Sequence, residues 1–107
     1  MTPPGTLNLT IYQRATFRLP LSLNADMTGS TLLAQLWDEK RRTKYADFTI
    51  EWTDQSEGEF ELVLPFTTTR ELTKNAKWDL LQVTPSGERE YWLEGDVVID
   101  PNYTDVT

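Results

Sequence analysis

Histidine and cysteine are both missing from this 107-residue chain. Without cysteine there is no disulfide, no thiolate nucleophile and no sulfur ligand for zinc. Without histidine there is no neutral-pH general base and no imidazole metal ligand. Positive charge is scarce, with 10 Lys+Arg against 17 Asp+Glu and a net charge of −7. Binding to nucleic acid needs a basic face that neutralises phosphates, so no nucleic-acid partner is expected. No apolar run approaches the ~18–20 residues of a membrane span, so no membrane partner is expected. The opening Met1-Thr2-Pro3-Pro4-Gly5 has neither the charged nor the apolar segment of a secretory leader, and none is expected.

What the chain does have is alternation, the period-2 mark of strands with one buried face. Leu7, Leu9 and Ile11 alternate with polar residues, and Ala15, Phe17, Leu19, Leu21 and Leu23 do so after a break at Gln13-Arg14. Pro20 cannot donate to a ladder, so the second strand is expected at an edge or at a bulge. A third strand is expected at 32–40, with Leu32, Ala34 and Leu36 on one face and Leu33, Gln35 and Trp37 on the other. A fourth covers 47–53, with Phe48, Ile50 and Trp52 inward, and a fifth covers 59–64, with Phe60, Leu62 and Leu64 inward. Thr68-x-x-Glu71 fits a capping box, predicting a short helix over 69–74 with Leu72 under the sheets.

Two last strands, 77–84 and 88–99, flank the turn Pro85-Ser86-Gly87, in which Pro presets φ and Gly takes a positive φ. In the last, Tyr91, Leu93, Val97 and Ile99 are read as inward, with Gly95 as a bulge or a point of close approach. Trp52 and Trp78 fall on inward phases, and Trp37 and Trp92 on the opposite one. About seven antiparallel strands with one short helix predict an all-β, immunoglobulin-like β-sandwich. The expected organisation is an extended N-terminal arm at 1–6, the β-sandwich domain at 7–99 and an extended C-terminal tail at 100–107.

The order of these segments resembles that of small stand-alone immunoglobulin-like β-sandwich proteins in tailed bacteriophages, notably cyanophages. The residues that carry it run from Asn8-Leu9-Thr10-Ile11 and Ala15-Thr16-Phe17 through Asp26-Met27-Thr28-Gly29 and Ala46-Asp47-Phe48-Thr49. They end in Trp78-Asp79-Leu80, Pro85-Ser86-Gly87 and Leu93-Glu94-Gly95-Asp96-Val97-Val98-Ile99-Asp100-Pro101. The family pattern has Gly at the break where this chain has Arg14. The resemblance implies a virion structural component of the tail, baseplate or fibre-attachment region, assembled in the host cytoplasm. Its partners would be other virion proteins and copies of itself. A capsid decoration or cement protein is the alternative within that class.

The chemistry visible in the residues is that of surfaces. The loop Asp54-Gln55-Ser56-Glu57-Gly58-Glu59 lacks calcium-loop spacing. Glu88, Glu90, Glu94 and Asp96 lie along a strand rather than across a cleft, and no serine has an activating histidine. No enzyme activity, small-molecule substrate, metal or cofactor is therefore expected. Lys40, Arg41, Arg42 and Lys44 crowd one hairpin tip, whereas six acids fall in 88–105. Such separation suits docking on an acidic partner or on another copy, because complementary charge sets register. Pro3 and Pro4 favour an extended arm, and Pro101 and Tyr103 are anchors in the tail, the two ends being suited to order on a neighbour. Trp92, if outward, is an interface indole. A carbohydrate-binding module is the alternative from another class, with Trp37, Trp92 and Tyr12 stacking on sugar faces.

Overall fold

A computed structural model describes residues 4–104, so Met1, Thr2, Pro3, Asp105, Val106 and Thr107 lie outside the described residues. The strands are β1 (Gly5–Thr6), β2 (Leu9–Tyr12), β3 (Phe17–Ser22), β4 (Thr31–Trp37), β5 (Lys44–Asp47), β6 (Thr49–Asp54), β7 (Glu59–Leu64), β8 (Ala76–Val83) and β9 (Arg89–Asp100). One sheet runs β1-β9-β8-β4-β5, with β2 also on β9, and the other runs β3-β7-β6. The expected all-β sandwich is thus present. Alternation places Leu32, Ala34 and Leu36 of β4 and Ala76, Trp78 and Leu80 of β8 between the sheets, against Phe60, Leu62 and Leu64 of β7.

Three expectations need correction. The strands are not all antiparallel: β1 and β2 both run parallel to β9, pairing Gly5 with Leu93 and Leu9 with Val97. The sheet consequently begins inside the segment read as an arm, at Gly5. Between β1 and β2 the Leu7 carbonyl turns inward to accept the indole N–H of Trp78 at 2.7 Å. Asn8 Oδ1 replaces a ladder carbonyl by accepting the amide of Asp96 at 2.9 Å. A Cβ on Gly95 would collide with the Leu7 carbonyl, so Gly95 is a point of close approach, as one of its two readings had it.

The segment read as one strand over 47–53 is divided between the sheets. Phe48 is the pivot: its amide donates to the Ala34 carbonyl at 2.8 Å, and its buried ring packs on Phe17 and Trp78. The chain leaves the first sheet at Asp47 and enters the second at Thr49. Two ring contacts inside the core fix this crossing, which a local alternation of Phe48, Ile50 and Trp52 does not reveal.

The helix is one turn, α1 (Phe66–Thr69), and it precedes the expected 69–74. Pro65 occupies the N-cap with φ −69° and no side-chain cap, so the proposed Thr68–Glu71 capping box does not form. Proline starts the turn instead, since its fixed φ suits helix entry. Thr69, fully buried, donates its hydroxyl to the Ala15 carbonyl at 2.8 Å, and Leu72 is buried as expected.

Candidate functional site: the outer face of the larger sheet

Side chains of β4, β8 and β9 that point away from the core line up in rows across the sheet. Register puts Trp37, Lys77 and Asp96 in one row, Gln35, Asp79 and Glu94 in the next, and Leu33, Leu81 and Tyr91 in a third. Neighbours in a row are close enough to act together. The rows floor and wall a groove of about 540 Å³ that reaches the β4–β5 turn at Arg41.

The second row is acidic at its centre. Asp79 is half-buried and has no hydrogen-bond donor among the described residues. Burial, with the charge of Glu94 beside it, raises its pKa above the ordinary carboxylate value, and Arg41 acts in the opposite direction. In the first row, Lys77 and Asp96 form an ion pair, which raises the Lys77 pKa. Trp37 is held at both ends: its indole N–H donates to Gln35 Oε1 at 2.9 Å, and the Arg41 guanidinium lies 4.8 Å from its ring centre.

The third row is apolar and open. Leu33 is 45% exposed and Tyr91 51%, and on the same face Tyr12 is 47% and Val98 50% exposed. Of the large hydrophobic residues exposed among the described residues, only Phe66 and Tyr103 lie elsewhere. The outer face of the smaller sheet is built differently. There Arg18 bridges Glu51 at 3.1 Å and Glu61 at 3.5 Å, giving a solvated polar surface.

Trp92 requires a correction. It is the extra residue of a β-bulge: Leu80 pairs with Leu93, but Leu81 pairs with Tyr91. The bulge turns the half-buried Trp92 toward the core, where its indole N–H donates to Gln82 Oε1 at 2.8 Å, and Gln82 Nε2 donates to Ser30 Oγ at 2.9 Å. The same bulge sends Tyr91, expected inward, to the outer face. The sequence signal was there in Tyr91-Trp92-Leu93, three consecutive apolar residues that strict alternation cannot place.

The basic tip forms the turn between β4 and β5, and Lys40, Arg41, Arg42 and Lys44 are all exposed. Asp38 shapes it, since one of its carboxylate oxygens accepts the backbone amides of Arg42 and Thr43. Those bonds hold its pKa below the ordinary value. Arg41, at φ 56°, folds back over Trp37, and Lys44 pairs with Asp47 at 3.0 Å. Lys40 and Arg42 project without an ion pair among the described residues.

The terminal anchors are set apart from this face. Pro4 is half-buried just before β1, while Pro3 is outside the described residues. Pro101 and Tyr103 follow β9, and Tyr103 is 97% exposed. Among the described residues no cluster of three potential acidic metal ligands occurs, and Asp54 in the acidic loop instead accepts the Ser56 hydroxyl at 2.8 Å. Among the described residues no helix is long and apolar enough to cross a membrane. No family model matches the chain, and no curated protein matches it.

Proposed function

We propose that this is a non-enzymatic virion structural protein of a tailed bacteriophage, assembling in multiple copies in the tail, baseplate or fibre-attachment region. The placing in a virion rests on the resemblance carried by the ordered strand and turn segments. The observation that carries the docking role is the outer face of the larger sheet, where an apolar row lies beside an acidic row and a basic tip. Exposed hydrophobic groups concentrated on one face mark an interaction surface. Capsid decoration remains the alternative within this reading.

The test is fractionation of intact particles on a density gradient, with the chain followed by mass spectrometry. Recovery in particles at a constant ratio to the other virion proteins supports the role. Recovery only outside particles overturns it.

A second reading, carbohydrate binding, is favoured by the groove, because Tyr91 offers an aromatic face beside Gln35, Asp79 and Glu94. Trp92 drops out of that platform, its indole being bonded to Gln82. Glycan binding that disappears in Tyr91→Ala would support this reading, and silence across a broad glycan panel would remove it.

A further inference from the structure

The outer face of the larger sheet is polarised across its width. Its β4–β5 side ends in the basic tip, where Lys40 and Arg42 project freely among the described residues. Its β8–β9 side carries Asp79, Glu94 and Asp96, of which only Asp96 has a lysine bonded to it. The open apolar residues Leu33, Leu81 and Tyr91 cross all three strands as a row beside the acidic one, on its side away from the tip.

A two-fold axis running roughly along the strands, in the plane between two such faces, exchanges their sides. It sets the tip of each copy over the acidic side of the other and stacks the two apolar rows on each other. Each copy gives a tip and receives one, so the contact is closed and self-complementary. The half-buried Asp79, which has no ion pair among the described residues, gains a cation from the other copy, whose long apolar stem lies along the groove on its way there. Charge in such a contact sets the partner and the register, while the apolar row supplies burial.

We infer that the outer face of the larger sheet is a two-fold interface between copies of this chain, with Lys40 and Arg42 of each copy seated beside Asp79 and Glu94 of the other. This deepens the assembly reading by naming a partner, and it is tested on the purified chain, independently of particle incorporation.

The test is mass in solution by light scattering or sedimentation over a concentration series. The expected species has twice the 12.4 kDa chain mass and weakens as salt is raised, since exposed charges are screened within about 10 Å at 0.1 M. The variant Lys40→Glu/Arg42→Glu and the variant Asp79→Lys/Glu94→Lys should each be monomeric. Mixed in equal amounts they should form a heterodimer, because one tip-to-groove contact then keeps its original charges and the other is restored with its signs exchanged. Circular dichroism establishes that each variant is folded, and the single changes Arg42→Glu and Glu94→Lys give the same crossing should a double change unfold. A chain that stays monomeric at every concentration, or a dimer indifferent to tip reversal, overturns the interface. So does a monomer whose groove binds glycan through Tyr91.

Discussion

Arg14 donates from Nη2 to the Pro101 carbonyl at 2.6 Å, and the same nitrogen also reaches the carbonyl of Asn102. The turn after β2 is thereby tied to the chain leaving β9. Arg14 sits at φ 67°, in the left-handed region. Most side chains enter that region at a cost, and glycine enters it freely. The guanidinium bonds offset the backbone cost and hold the start of the C-terminal tail against the sandwich.

Arg14→Gly should therefore keep the fold while freeing the tail, seen as faster amide exchange at Asn102. Arg14→Ala loses the same bonds and keeps the unfavourable φ. It should be less stable than Arg14→Gly by about 1 kcal/mol in denaturant unfolding. Equal stability of the two would show that φ at this position is not a cost.

Gly95→Ala should be among the most damaging single-methyl changes. The added carbon meets the Leu7 carbonyl, the acceptor for the Trp78 indole. Neither backbone can yield without losing the parallel pairing of β1 with β9. A loss of upwards of about 2 kcal/mol is expected, together with easier proteolysis between β1 and β2. A wild-type unfolding midpoint in this variant would contradict the close approach.

In the dissociated chain, Asp79→Asn should stabilise the fold at neutral pH. The folded state holds the Asp79 pKa above its unfolded value, so ionisation is less favourable in the folded than in the unfolded chain. Stability is thus lost as pH rises through the interval between the two values. Below the ordinary value of 3.8 both states are protonated, and the gain from Asn should vanish there. Unfolding measured for both proteins on either side of that interval checks the sign. A gain that persists at the acidic end would assign it to something other than the charge.

Trp92→Phe keeps an aromatic ring but removes the donor to Gln82. Gln82 is buried, so its freed oxygen has lost its partner away from water. The expected loss is about 1–3 kcal/mol. If Trp92 were an outward interface indole, the substitution would leave the isolated chain's stability unchanged.

Much of the fold was legible one strand at a time. Leu32, Ala34 and Leu36 pointed inward as alternation required, and so did Phe60, Leu62 and Leu64, because each lies in a strand with one buried face. The basic tip was legible too, since charge crowded between two strands has nowhere to go but solvent. The composition of the docking face was not. One extra residue at Trp92 reversed the phase of the two aromatics beside each other, and no propensity in the local sequence marks which of them the bulge absorbs.

Alternation and turn chemistry were enough to specify an all-β chain, its hairpins and nearly all of its core, because those are properties of residues two apart. Partners distant in sequence decided the rest. Trp78 and Gly95 drew Leu7 down and made β1 and β2 parallel to β9, while the ring contacts of Phe48 moved the chain from one sheet to the other. Asp79 met Glu94 only through strand pairing. The acidic row, the apolar row and the basic tip share one face for the same reason: register between strands, set by packing in the core beneath, brings together side chains that the sequence keeps far apart.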